Sequence, residues 1–335
     1  MIKNIPKLLH LCVTDFCQLK CKHCYFGNFN RSKEMSLEEI IIVHNKFFEQ
    51  RYLFSKLGYN YIDSHLNITG GEPMLYSKLK ELIKLLPKHY NTTKFLTNGI
   101  LYSKEIIKLL INYSNKLIYQ ISLDGMKESH EFIRGTNTFD KITSNIKEIR
   151  NDFPELNIQI SFNVNSKNKN DLPELIPYIK YLGVNSIMMD RYVPHNKCEL
   201  NVLSYEEHRV YDAIINSMYE KYNDNTFQVL RHRSLQNDMS FHCEACIENQ
   251  ICCTNGDRFA CSRYHIKTGN WFNDNSTKLV NSSIEKANLL LETPKECESC
   301  IHYSICNGGM RCLTYHTLNS TTKKDIHCFK YCKKV

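Results

Sequence analysis

The 335-residue chain contains no run of about 18 apolar residues, so no part of it reads as a membrane-spanning helix. Its first residues, "MIKNIPKLLHLCVTDFC", carry a short apolar run but no small-residue cleavage site. That pattern reads as a first strand rather than a secretory signal, and it makes the cytoplasm the expected compartment. No tight arginine and aromatic stripe occurs, so nucleic acid is not an expected partner. The net charge of +8 reads first as lysine-rich, solvated helix faces, and second as a basic groove for an acidic peptide or a nucleic acid. Internal repeats and low-complexity tracts are also missing. The most telling absence is local: the 173 residues between Cys24 and Cys198 hold no cysteine at all, in a chain that has 16.

Cysteine is instead packed at the two ends. Four lie in residues 12–24, Cys198 stands alone, and eleven run from Cys243 to Cys332. A reducing compartment disfavours structural disulfides, so clustered thiols point to metal ligation or catalysis. Two metal-rich regions thus flank a cysteine-free scaffold.

The scaffold alternates strand-like and helix-like segments. Strands are expected at residues 8–13, 65–69, 94–97, 117–123, 158–164 and 186–191, and helices at 36–57, 78–89, 103–113, 139–151 and 172–182. Ser36 with Glu39 makes a capping box, Ser103 precedes an amphipathic run, and Asp171 with Pro173 opens a helix that Gly183 ends. Six β-then-α units imply parallel strands with right-handed crossovers. That is too few for a closed eight-fold barrel and fits an α/β fold of the open (β/α)6 three-quarter barrel type. In such sheets chemistry gathers at the C-terminal strand ends. The cysteine cluster, "TGGEP", "TNG" and "SLDG" each follow one of the first four strands, so all four fall on one rim. The expected domains are 1–199 as the partial barrel, 200–240 as a helical linker and 241–335 as a cluster-bearing domain. The linker holds one strong helix at 205–222, with apolar Val210, Ile214, Ile215 and Met218. Beyond residue 241 helical periodicity fades, and metals are expected to supply stability that apolar content does not.

The first cluster, "DFCQLKCKHCYFGN", sets Cys17, Cys21 and Cys24 around one centre. Structural zinc and a 4Fe–4S cluster each take four ligands. Three thiolates leave one position for a substrate or cofactor, unless His10 or His23 completes a zinc site. Cys12 lies within the first strand and reads as a small buried hydrophobe. Gly70 and Gly71 remove side chains at a strand end so that a ligand can approach the backbone, and Glu72 offers a carboxylate beside it.

Together "CQLKCKHCY", "TGGEPML", "LTNGI" and "SLDG" resemble the radical S-adenosylmethionine (radical SAM) superfamily, over roughly residues 8–195. The resemblance implies that Cys17, Cys21 and Cys24 bind a 4Fe–4S cluster whose open iron chelates the methionine moiety of SAM. One electron then cleaves SAM to methionine and a 5′-deoxyadenosyl radical, which abstracts a substrate hydrogen. It further implies that Gly70, Gly71 and Glu72 hold the methionine amino group and that His23 packs near the adenine. Ser122 and Asp124 would contact the ribose or carboxylate, Arg134 the carboxylate, and Asn98 the same rim.

The C-terminal pattern is Cys297-x2-Cys300-x5-Cys306 followed by "NGGMRC", with Cys246, Gly256 and Cys261 upstream. It resembles the SPASM domain of radical SAM enzymes that act mostly on peptides and proteins, a domain that usually carries two auxiliary 4Fe–4S clusters. The resemblance implies one ligand set of Cys243, Cys246, Cys261 and Cys312, and a second of Cys297, Cys300, Cys306 and Cys328. Met310 stands where the family has a cysteine, and Cys312 is expected to ligate in its place. Cys252, Cys253 and Cys332 are left without a role. The adjacent pair is expected to point to opposite faces of a strand, so at most one of them faces a cluster.

The implied activity is that of a radical SAM oxidoreductase that modifies a precursor peptide or protein. The alternatives are a SPASM dehydrogenase or carbon-insertion enzyme on a small molecule, and a metal scaffold without activity. The implied partners are the peptide and a one-electron donor of flavodoxin or ferredoxin type. Candidates for the acid/base are Asp190, Arg191, Tyr192, His195 and Tyr264. Anaerobic sulfatase maturases resemble the chain in both cysteine fields, but they place an aspartate where Ser262 follows Cys261 here.

Overall fold

The structure is a computed structural model that describes residues 3–4, 8–24, 33–60, 63–195, 199–231, 245–290, 292–306 and 308–328. The chain opens with β1 (Lys3–Asn4) and β2 (Leu8–Cys12), followed by α1 (Leu37–Lys56). The Ser36 capping box forms as expected: Glu39 N donates to Ser36 Oγ at 3.2 Å and Ser36 N to Glu39 Oε2 at 2.8 Å. Next, β3 (Tyr59–Asn60) pairs in parallel with β1 as a ribbon apart from the main sheet. Then come β4 (His65–Thr69), α2 (Leu79–Leu85), β5 (Thr92–Thr97), α3 (Lys104–Tyr113) and β6 (Leu117–Ser122). The run continues with α4 (Lys127–Arg134), α5 (Thr138–Asp152), β7 (Ile158–Val164), α6 (Leu172–Tyr181) and β8 (Ser186–Arg191). After α7 (Tyr205–Tyr222) and β9 (Gln228–Arg231), the C-terminal part adds β10 (Asn249–Cys252), β11 (Asp257–Cys261) and β12 (Tyr264–Asn270). Helices α8 (Ser276–Leu290), α9 (Tyr303–Cys306) and α10 (Arg311–Leu318) close the described chain.

Among the described residues, ten strands form one open sheet in the order β12-β11-β10-β2-β4-β5-β6-β7-β8-β9. The six expected strands are its contiguous middle, all parallel. Two further parallel strands flank them. β9, from the segment read as a linker, pairs with β8, and β10, from the cysteine-rich region, pairs with β2. Both have four residues, too few for alternation to stand out, and β10 finds its partner more than 200 residues earlier in the chain.

One face of the sheet packs against the helices. Leu9, Leu11, Leu66, Ile68, Phe95 and Tyr119 are fully buried there with Ile40, Phe47 and Ile107. Each such side chain contributes about 1.5–3 kcal/mol. Helix α7 joins this core through Tyr211, Ile215 and Met218, whereas Val210, one of its apolar residues, is exposed. Helical periodicity fades beyond residue 241, yet α8 spans 15 residues. Its buried face includes Ser276, Ser283 and Ala287, which dilute the apolar period. The C-terminal region is tied to the barrel by Arg258, whose Nη2 donates to Gln50 Oε1 of α1 at 3.2 Å and to Ser283 Oγ of α8 at 2.6 Å.

Candidate active site

The neighbouring strands β2, β4, β5 and β6 end on one rim, and the four motifs follow them there. The β2–β4 ladder continues past the strands into both loops: Val13 N donates to Thr69 O (2.9 Å), Gly71 N to Thr14 O (2.7 Å) and Glu72 N to Phe16 O (2.7 Å). A Cβ on Gly70 would lie 2.3 Å from Thr14 O, and one on Gly71 2.3 Å from Phe16 O. Gly70 also has φ +142. What approaches these glycines is therefore the backbone leading into Cys17, not only a ligand. The "GG" pair fixes where the cysteine loop sits.

Glu72 is fully buried. Its Oε1 accepts from Thr97 Oγ1 (2.8 Å) and Met74 N (3.1 Å), and its Oε2 from Asn98 N (2.8 Å). Burial raises its pKa to about 7, against the opposing pull of those hydrogen bonds. Glu72 thus clamps the end of β5 to the loop after β4. Asn98, so held, reaches the cysteine loop: Gln18 Nε2 donates to Asn98 Oδ1 at 3.2 Å, and Asn98 Nδ2 lies 3.8 Å from Cys17 Sγ.

Asp124, at the end of β6, is fully buried. Arg134 Nε donates to its Oδ2 at 2.6 Å, His23 Nε2 lies 3.2 Å from the same oxygen, and Asn163 N donates to Oδ1 at 2.8 Å. Burial would raise the carboxyl's pKa, but Arg134 and His23 outweigh it and hold the group far below the usual range. Its backbone N donates to His130 Nδ1 at 3.0 Å, and burial, reinforced by Arg134, lowers the pKa of His130 to about 3. Arg134 Nη1 reaches to 3.9 Å from Cys21 Sγ. Burial pushes the Cys21 thiol up to about 11; Arg134 opposes that rise, and the neighbouring Cys24 and Cys17 add to it. Asp124 therefore orients an arginine toward the thiols. Ser122 is half-buried on the inner face, opposite Ser161.

In the C-terminal region Cys246 and Ala260 lie in one cluster with Cys261 and Cys312 against it. Cys246 is held in the left-handed region at φ 71, and its N donates to Ala260 O at 3.0 Å. Arg263 sits beside the Cys261 and Cys312 thiols, and its Nη2 is 2.5 Å from Asp190 Oδ2. Met310 packs with Val193 and Leu313, and its N donates to Asp325 Oδ2 at 2.7 Å. Cys297 is pushed up to about 11 by burial, to which Cys306, Cys328 and Cys300 all add, so these four thiols are neighbours. Cys252 lies in the main core, and Cys253 faces Cys12, so the adjacent pair does point to opposite faces. Cys243, Cys198 and Cys332 lie outside the described residues.

The family model of the radical SAM superfamily matches residues 11–179. The chain belongs to that superfamily. It is 22% identical to the antilisterial bacteriocin subtilosin biosynthesis protein AlbA of Bacillus subtilis, over 94% of this chain and 71% of that protein. It is 24% identical to the mycofactocin maturase MftC of Mycobacterium tuberculosis, over 94% of this chain and 81% of that one. Among solved structures, Streptococcus suis SuiB bound to S-adenosylmethionine superposes with a TM-score of 0.75 at 16% identity, covering 98% of this chain and 78% of SuiB. SuiB has also been solved bound to its precursor peptide SuiA.

For a radical SAM enzyme the cofactors are SAM and 4Fe–4S clusters, and the donor set suits them. Three thiols converge with Arg134 and Asn98 beside them, and each further candidate zinc ligand has another neighbour. His10 Nδ1 lies 3.3 Å from Asn67 Nδ2, and burial lowers its pKa to about 4. His23 faces Asp124 and Arg134. Cys12 is fully buried against Cys253.

The acid/base candidates separate by surroundings. Arg191 Nη1 pairs with Asp325 at 3.2 Å, Tyr192 is buried with Ile133 and Leu200, His195 packs on His316 (4.5 Å), and Tyr264 packs on Tyr315 (5.1 Å). Asp190 alone of the five faces the inner side of the sheet, level with Asn163. No motif marks Lys94, Thr97 or Arg263, whose significance depends on strands and loops far apart in the chain. Among the described residues no helix is long and apolar enough to cross a membrane.

Proposed function

We propose that this chain is a peptide maturase, which modifies a side chain of a ribosomally made precursor peptide. The observation that carries the reading is full-length likeness: AlbA and MftC, both named for roles in biosynthesis or maturation, align with 94% of the chain, through both cysteine fields. Cys17, Cys21 and Cys24 would hold the cluster that binds SAM. Cys246, Cys261 and Cys312, with Cys243, would hold the first auxiliary cluster, and Cys297, Cys300, Cys306 and Cys328 the second. When bound, the SAM-ligating cluster supplies one electron that cleaves SAM reductively and so generates the hydrogen-abstracting species.

The chain's own residues prepare that site. Gly70 and Gly71 let the cysteine loop close onto the end of β4. Glu72 locks Asn98 over Cys17. Asp124 aims Arg134 at Cys21, where its positive charge favours the thiolate that ligation requires. Asp190, held by Arg263 between the barrel lumen and the first auxiliary set, is the best-placed carboxylate to take a proton from the substrate. Electrons would come from a flavodoxin or ferredoxin type donor, and the expected site of action is the cytoplasm.

The test is to incubate reduced enzyme and SAM with the peptide encoded beside its gene and, separately, with a sulfatase-type peptide. A loss of two hydrogens from the first, without loss of sulfur, is expected. Formylglycine on the second would replace this reading with sulfatase maturation, and no change in either would return the small-molecule alternative.

A further inference from the structure

The inner faces of the parallel strands are most buried at mid-sheet and become less buried toward the rim. The register sets Asn67 beside Lys94, and Gln120 beside Gln159, which in turn neighbours Ser186. Gln120 Nε2 donates to Gln159 Oε1 at 2.8 Å, Lys94 Nζ donates to the same oxygen at 3.0 Å, and Gln159 Nε2 donates to Ser186 Oγ at 3.1 Å. Gln120, Gln159 and Ser186 are buried and form the floor. One layer nearer the rim, Ser122, Ser161 and Met188 are only half-buried, and above them so are Asn163 and Asp190.

Lys94 brings a positive charge to that floor. Its one hydrogen-bond acceptor is a neutral amide, and among the described residues it has no ion-pair partner. Burial draws its pKa below the ordinary value, and Asp190, whose Oδ2 pairs with Arg263, opposes that shift only in part. His10, whose pKa Lys94 helps to lower, is kept neutral by burial at neutral pH. A buried ammonium without an ion-pair contact is unfavourable, and an anionic group beside it would relieve the cost. A carboxylate would also gain charge-assisted hydrogen bonds that its amide isostere cannot make.

We propose that the inner face of the sheet takes up an acidic side chain, an aspartate or glutamate of the substrate, and that Lys94 binds its carboxylate. The source of that carboxylate rests on the peptide reading above. The recognition chemistry does not.

The probes are N-acetyl-aspartate N-methylamide and N-acetyl-glutamate N-methylamide, each against its asparagine or glutamine counterpart. Binding is read by saturation-transfer NMR on the cluster-loaded enzyme with SAM at saturation, so that SAM's own carboxylate is already placed. The acidic probes should bind the wild type about tenfold or more tighter than the amides. Lys94→Met should abolish that preference, leave SAM affinity unchanged and melt no lower than the wild type, because it removes an uncompensated charge. Equal binding of acid and amide by the wild type overturns the proposal without recourse to any variant. So does a preference that survives in Lys94→Met. A loss of SAM affinity in Lys94→Met would assign the lysine to SAM instead. None of these readouts needs turnover, so they stand even if no peptide is modified. If a peptide is modified, exchanging its bound acidic residue for the amide should raise KM in the wild type but not in Lys94→Met.

Discussion

Glu72→Gln isolates a buried carboxylate whose ionisation the fold resists. In the folded protein burial raises the Glu72 pKa from 4.5 to about 7, against three hydrogen bonds that favour the anion. A folded pKa above the unfolded one means that the native state binds the proton more tightly between those values. Stability from this group is therefore fully present below about pH 4.5 and is lost as pH rises toward 7. Each unit is worth about 1.4 kcal/mol, so the wild type should lose at most about 3 kcal/mol over that window. Glutamine has the same shape and no proton to lose. The difference in stability, wild type minus Glu72→Gln, should thus fall by up to about 3 kcal/mol from pH 5 to pH 8, whatever its starting value. With an unfolding entropy of about 2.1 cal/mol/K per residue, that is a relative shift of about 4 °C in Tm for a chain of this length. The assay is anaerobic differential scanning fluorimetry of both cluster-loaded proteins at pH 5, 6, 7 and 8; other titrating groups cancel in the comparison. A difference that stays constant with pH would show that Glu72 titrates as an ordinary glutamate, and a difference that grows would show that its hydrogen bonds win over burial.

Arg134→Met leaves Asp124 ionised and without its main partner, which costs about 3–5 kcal/mol for a buried pair; a lower Tm and poorer iron loading of the N-terminal site are expected, and an unchanged melting curve would contradict the buried-pair account. Replacing Cys17, Cys21 and Cys24 together by alanine should reduce iron from about twelve to about eight per chain, leave the auxiliary clusters in place and abolish SAM cleavage. Retained cleavage would remove the SAM assignment. Cys312→Ala should lower iron content and shift the auxiliary-cluster spectrum, while Met310→Leu, a near-isosteric change in an apolar pocket, should alter neither; the opposite pattern would make Met310, not Cys312, the residue that matters.

Much of the barrel was legible because it is built from local signals. The capping box of Ser36 and Glu39 and the Ser103 cap depend only on residues within one turn, and both form as the sequence implies. The six central strands alternate between a helix-packed face and an inner face, and β5 through β8 show where each begins and ends. Because parallel strands share one direction, motifs that follow successive strands must share a rim, and the sequence order of those motifs was enough to place them together. The cysteine spacing likewise named a three-thiol centre, since thiols so close in the chain need no tertiary fold to meet.

What the tertiary structure decided involves partners far apart. β9 and β10 each have four residues and exist as strands because an edge of the sheet offers them hydrogen bonds. Tyr211 is buried while Val210 is exposed because the direction of α7 is set by the core it meets, not by its own composition. The glycines of "TGGEP" are required by the backbone at Thr14 and Phe16, a contact between separate loops. Glu72, Asp124 and Arg134 could be named from motifs, but only the fold shows that the first clamps Asn98 and the second aims the third at Cys21. Lys94 had no motif at all. Its charge matters because neighbouring strands supply amides and a hydroxyl around it but, among the described residues, no carboxylate within ion-pair reach, and desolvation by so many distant residues is written in no single stretch of the chain.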